Sequence, residues 1–190
     1  MNRQKKGQYG YRDQIRRMRL MITLFFIAAI LAQLGARQFV AREQAAKNIL
    51  TVMAILTVLP MANMASPLIA SWPYRTPGQA FYQKICRYED KCAILYDLVL
   101  TTKEQVLPMD AIAVHPVGVI AFCPREKVDG EKAEKALNSL FVAGRLDPSV
   151  KILKDEKKFV QRLESLKPAK DYQDDGSVEG AVALLKSLSM

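Results

Sequence analysis

Leu20–Ala36 reads LMITLFFIAAILAQLGA and Asn48–Trp72 reads NILTVMAILTVLPMANMASPLIASW, and neither stretch holds an Asp, Glu, Lys or Arg. A helix needs roughly 17–25 mostly apolar residues to cross a bilayer core. Both stretches meet that length. They predict a two-helix transmembrane hairpin over residues 20–72, with spans at 20–36 and 48–72. Around it the chain divides into a basic cytoplasmic leader (1–19), an α/β cytoplasmic domain (73–166), and a linker with a C-terminal amphipathic helix (167–190).

Charge sorts the partners. The chain carries 28 Lys and Arg against 19 Asp and Glu, a net +9. Residues 1–47 hold ten Lys/Arg against Asp13 and Glu43, a net +8, whereas residues 48–190 hold 18 against 17, a net +1. The excess therefore flanks the apolar stretches. It points to anionic headgroups, worth about 1 kcal/mol per basic residue at the surface, with Arg12, Arg16, Arg17 and Arg19 as membrane-surface residues. A nucleic-acid binder would carry its basic excess on a face of the folded domain, so nucleic acid is disfavoured as a partner.

Lys/Arg bias also sets orientation. The leader holds Arg3, Lys5, Lys6, Arg12, Arg16, Arg17 and Arg19, and the loop between the stretches only Arg37, Arg42 and Lys47. Arg75, Lys84, Arg87 and Lys91 follow the second stretch. Both termini are expected in the cytoplasm. A signal peptide is the competing reading, with Leu20–Leu31 as its apolar core and cleavage near Ala36. The long leader and the second span close behind favour an uncleaved hairpin. With no charge inside either span, an ion path is disfavoured and the hairpin reads as an anchor. Gln33 and Asn63 are its strongly polar side chains, and Pro60 and Pro67 are expected to bend the second helix.

Beyond WPYRTPG (residues 72–78), Ala80, Phe81, Ile85 and Tyr88 recur at helical steps. CAILYDLVL (92–100), VLPMDAIAVHP (106–116) and VGVIAFC (117–123) read as three strands, with turns at TTKEQ and at Pro116–Val117–Gly118. Asp129 is placed to cap a helix with Ala133, Ala136, Leu137, Leu140 and Phe141 on one face. SVKILK (149–154) reads as a fourth strand, and Asp155 as the cap of a helix carrying Phe159, Val160, Leu163 and Leu166. Val178, Ala181, Val182, Leu185 and Leu188 close the chain as an amphipathic segment. The order α-β-β-β-α-β-α predicts an α/β domain with a mixed sheet.

That order resembles the core of the PD-(D/E)xK nuclease-like fold, and within it the nuclease-related domain called NERD, over about residues 78–166. Asp110, the following AIAVH, the turn Pro116–Val117–Gly118 and the strand VIAFC carry the resemblance. It implies a restriction-endonuclease-like mixed sheet with Asp110 as a metal ligand. The family's Glu-x-Lys would fall at Cys123 and Arg125, and its early helix Glu near Gln79. A magnesium-dependent hydrolase needs hard oxygen ligands and a Lys to position water. One Asp with a thiol and an amide makes a poor magnesium site, because cysteine is soft. Glu126 and Lys127 are adjacent, so in an extended strand they point to opposite faces. The resemblance thus implies a scaffold that has lost catalysis.

The remaining residues invite plainer readings. His115, the single histidine, stands beside Pro116 as a turn residue. Cys86, Cys92 and Cys123 are odd in number and form no CxxC, so no disulfide framework or zinc site is expected. No nucleotide loop, HExxH or GxSxG occurs. No cofactor or metal is expected. The reading that results is a non-catalytic, membrane-anchored pseudoenzyme that binds a protein partner or itself, with Asp110 its weak catalytic candidate. The alternatives are a metal-dependent nuclease with migrated active-site residues and a small membrane accessory subunit.

Overall fold

The computed structural model describes residues 4–39, 44–103, 105–172 and 176–190. Arg3 of the leader, Arg42 of the loop and part of the expected linker lie outside the described residues. The chain forms two compact units, Met1–Arg12 with Tyr74–Met190, and Asp13–Pro73. The leader is therefore split: its first part belongs to the α/β unit.

The apolar stretches lie on two long helices, α1 (Tyr11–Phe39) and α2 (Gln44–Ser71). α1 starts nine residues before the apolar stretch, with Asp13 in its first turn and Arg37 in its last, both favourable to the helix dipole. α2 runs without interruption through Pro60 and Pro67. Each helix contains a window of mean hydropathy 1.9 or 1.8, long and apolar enough to cross a membrane. Few of their apolar side chains are buried, Ala54 and Leu68 of α2 among them, whereas Phe25 is 70% exposed and Ile69 is 72% exposed. Gln33 Nε2 donates to Thr57 Oγ1 at 3.4 Å, a polar link from α1 to α2.

The α/β unit continues with α3 (Gln79–Ile85), a short 3-10 turn (Cys86–Tyr88), β1 (Ala93–Thr101), β2 (Val106–His115), β3 (Gly118–Phe122), α4 (Gly130–Ala143), β4 (Val150–Leu153), α5 (Glu156–Glu164) and α6 (Ser177–Leu188). The strands lie side by side in chain order. β1–β2 and β2–β3 are antiparallel and β3–β4 is parallel. The parallel pair follows from α4, which returns the chain to the start of the sheet before β4 begins. Asp129 and Asp155 cap α4 and α5, accepting from the backbone N–H of Lys132 and Lys157.

Helices cover both faces. On one, Ala133, Leu137 and Phe141 of α4 and Ala181 and Leu185 of α6 pack on the sheet. On the other, Phe81 and Ile85 of α3 and Phe159 and Leu163 of α5 do the same. This double cover explains why β2 is buried along nearly its whole length. The C-terminal helix docks on the unit rather than projecting from it, and Met190 N donates to Val99 O behind it.

Both sheet edges are covered. Gly7 bridges to Tyr96 and Ser189 to Leu100 along β1. At β4, Val150 N donates to Asn138 Oδ1 at 2.8 Å and Ile152 N to Glu134 Oε1 at 2.7 Å. Two side chains one turn apart on α4 thus satisfy the outward N–H groups of the edge strand. An open edge is a template for pairing with another chain.

Candidate functional site

A strand alternates faces every residue, and β1 and β2 both break that rule at one place. Leu95 faces the α4/α6 core, and so do Leu98 and Leu100, an offset of three at the first step. Met109 and Ile112 of β2 show the same offset. The residues at the break are Asp97 and Asp110. They lie opposite one another, between the paired positions Tyr96–Ala111 and Leu98–Met109. Asp97 has φ +57, a left-handed conformation that Asp tolerates better than most side chains. Two acids in otherwise apolar strands are thereby buried, Asp97 to 1% exposure and Asp110 to 4%.

Arg12 fills this break. Its Nη1 donates to Asp110 Oδ1 at 2.9 Å and to Arg75 O at 2.8 Å. Its Nη2 donates to Met109 O at 2.8 Å. The guanidinium therefore neutralises an acid and satisfies strand carbonyls at once, which its planar fork of donors permits. Asp97 Oδ2 accepts from Gly10 N at 2.7 Å and Thr76 Oγ1 at 2.9 Å, while its Oδ1 has no partner. Burial pushes the Asp97 carboxyl up. Arg12, Thr76 and Gly10 oppose the shift, and the charge on Asp110 adds to it. Protonation of Asp97 would leave Arg12 and Asp110 as a balanced pair.

The contacts share a pattern in sequence. Gly10 and Arg12 stand at the start of α1, and Arg75, Thr76 and Pro77 just after α2. The two acids of the sheet hold both flanks in one cluster. Tyr9 extends it, stacking on Tyr82 at 4.5 Å, meeting Tyr96 edge-on, and donating from its hydroxyl to Pro77 O at 2.8 Å. Lys6 Nζ donates to Ser189 O at 2.7 Å, which draws the C-terminus in as well.

Arg12, expected at the membrane surface, is 2% exposed and lies inside the α/β unit. The reason is the buried acid it neutralises. Arg16 pairs with Asp13 at 3.4 Å and stands 5.9 Å over the Trp72 ring. Arg17 is exposed and Arg19 half-buried on α1. Asp110, the catalytic candidate, has its carboxylate against Arg12 with 6% of its side chain exposed.

Cys123 is fully buried, with its thiol pushed up mainly by desolvation. Glu126, Lys127 and Gln79 are exposed. His115 accepts from Val117 N at Nδ1, which leaves Nε2 to donate to Lys167 O at 3.0 Å. It closes the β2–β3 turn as a histidine there should. Among the described residues, no three His, Cys, Asp or Glu side chains gather where a metal could bind. Sequence reasoning passed over Asp97, although an acid in the middle of CAILYDLVL is itself a signal of a polar or charged partner nearby. Comparison with protein families, with characterised proteins and with solved structures gives no match.

Proposed function

We propose that this chain is a membrane-tethered α/β module whose work is binding or assembly, with the bilayer as one partner and a protein or a second copy as the other. The observation that carries the reading is the cluster of Arg12, Asp97 and Asp110, which builds the residues on both sides of the apolar helices into one folded unit. A unit made from residues 4–12 and 74–190 cannot be divided by a bilayer. This supports placing both termini on one side, and the Lys/Arg bias makes that side the cytoplasm. It also supports an uncleaved first helix, because cleavage near Ala36 would remove Arg12 and strand two buried acids.

The antiparallel–antiparallel–parallel order of β1 to β4 supports the likeness to a nuclease-like sheet, and fold likeness alone carries no activity. In this reading Asp110 has become structural. Its carboxylate faces a guanidinium, where a metal ligand needs an open lone pair.

The test uses the full chain, in native membranes for crosslinking and in phosphatidylcholine nanodiscs for the nuclease assay, since residues 74–190 alone lack part of the α/β unit. Chemical crosslinking in native membranes is expected to join residues of the 74–190 region to a partner or a second copy. Crosslinks confined to residues 20–72 would instead favour the accessory-subunit role. Magnesium-dependent cleavage of DNA or RNA that disappears with Asp110→Asn would overturn the proposal.

A further inference from the structure

A cavity of about 300 Å³ opens between α5 and the β3–β4 end of the sheet. Its apolar wall is Ile120, Leu153 and Leu166, and its polar rim is Lys151, Lys158 and Arg162. No acidic residue lines it. That volume stands at the low end of small-molecule sites, roughly 300–1,000 Å³, which combine an apolar lining with a few convergent polar groups.

The rim is a consequence of how α5 distributes its charges. Its acids are engaged elsewhere. Glu156 pairs with Lys84 at 2.8 Å, Glu164 accepts from Tyr88 Oη at 2.9 Å, and Asp155 caps the helix start. Lys158 and Arg162 are one turn apart, so they share a face. That face carries two like charges with no acid between them, which costs an isolated helix a few tenths of a kcal/mol. Lys151 joins them from β4, on the strand face shared with Leu153. The ion pairs among the described residues involve Arg12, Arg16, Lys84 and Lys132, and none of the three rim cations.

Ser149 adds a hydroxyl at the cavity wall beside Gly118. Gly118 has φ +151, and a Cβ there would sit 3.0 Å from Ser149 O and 3.1 Å from its Oγ. The backbones of β3 and the start of β4 can approach this closely only because position 118 has no side chain.

We propose that this cavity binds the phosphate group of a small organophosphate, with Lys151, Lys158, Arg162 and the Ser149 hydroxyl around the phosphate and Ile120, Leu153 and Leu166 against an apolar body. A phosphate monoester carries close to two negative charges at pH 7, which matches three cations lining one cavity better than a single carboxylate does. Arg162 supplies a planar fork for two phosphate oxygens, and the lysines supply point charges. The phosphate could belong to a soluble metabolite or to a lipid headgroup. The site shares no residue with the Arg12 cluster, so it stands or falls apart from the assembly role proposed above.

The full chain in phosphatidylcholine nanodiscs is titrated calorimetrically with phenyl phosphate, and binding is expected. The double variant Lys158→Gln/Arg162→Gln should weaken it roughly tenfold or more, as loss of charge-assisted contacts does. Lys157→Gln, on the same helix and outside the cavity, should leave it unchanged. Thermal melts of all three proteins check that the fold is retained. Repeating the titration with phosphatidic acid in the discs separates the sources: competition assigns the site to a headgroup, and no competition to a soluble ligand. Absence of binding, or binding indifferent to the double variant, overturns the proposal.

Discussion

Arg12, in the first turn of α1, donates to Asp110 in the middle of β2 at 2.9 Å, with both side chains buried. Ninety-eight residues of chain separate them. Removing one partner of such a pair strands the other charge in a low-dielectric interior, at a cost of about 3–5 kcal/mol. Arg12→Met is therefore expected to destabilise the α/β unit by that amount, measured by denaturant unfolding of the full chain in detergent micelles. Arg17→Met, at an exposed position of the same helix, should change stability by less than about 0.5 kcal/mol. Equal effects from the two variants would show that Arg12 acts only as one more basic residue of the leader.

Asp97 makes stability depend on pH in a defined direction. Its folded carboxyl is raised, first by burial, against the opposing pull of Arg12, Thr76 and Gly10 and with the added push of Asp110. Above the ordinary carboxylate value and below the raised one, the folded state keeps a proton that the unfolded chain has lost. Stability from this group is thus fully present below the ordinary value and is lost as pH rises through the raised one. The Asp97→Asn variant keeps an acceptor for Gly10 N and Thr76 Oγ1, tolerates the positive φ, and does not titrate. The difference in unfolding free energy, variant minus wild type, is expected to grow as pH rises from about 4 towards neutrality. A difference that stays flat over that range would sink this account.

Much of the architecture was legible in the sequence because local signals agreed with one another. Asp129 and Asp155 stood at helix starts and cap them. The strand expected at 149–154 forms at Val150–Leu153, one residue shorter at each end. The apolar periodicity of the last segment put Ala181 and Leu185 into the core. The Arg12 cluster was not legible, for two physical reasons. Hydropathy and charge bias describe neighbours in sequence, whereas this cluster joins residues 10–12, 75–77, 97 and 110. The face switch at Asp97 and Asp110 also breaks the period-two rule by which strand residues are sorted into inside and outside. The basic leader was read as a whole, and only the need of two buried acids for a base distinguishes Arg12 from Arg16, Arg17 and Arg19.

The two side chains that close the β4 edge yield a prediction about association as well as stability. Glu134→Ala leaves Ile152 N–H without its acceptor, and Asn138→Ala does the same to Val150 N–H. Each orphaned, partly buried donor costs about 1–3 kcal/mol. The double variant also presents a bare strand edge, so it should self-associate more than the wild type at the same concentration. Light scattering on the detergent-solubilised chain reads this directly. A destabilised double variant with unchanged mass would separate the hydrogen-bonding role of these residues from any role in guarding the edge.

The three thiols should differ sharply in reactivity. Cys86 is half-buried at the 3-10 turn after α3, with its Sγ 3.4 Å from Gln83 O. Cys92 is 4% exposed, and its thiol is pushed up to about 11, first by burial; Lys91 pulls it down and Glu89 pushes it further up. Cys123 is fully buried just past the end of β3, and its thiol is likewise raised by desolvation. Reaction needs both the thiolate and access to it. At pH 8 a group titrating near 11 is ionised in roughly one molecule per thousand, and burial reduces encounter further. A water-soluble aromatic disulfide added to the native chain is expected to release one equivalent of chromophore in a fast phase. The other two equivalents should follow only as fast as the α/β unit unfolds. Cys86→Ser should remove the fast phase alone, and denaturant should make all remaining thiols react together. Because Cys92 and Cys123 report opening of the domain interior, the Arg12→Met variant should accelerate the slow phase while leaving the fast one unchanged. A slow phase indifferent to that substitution would mean that these thiols become exposed by a local opening that leaves the Arg12–Asp110 contact intact.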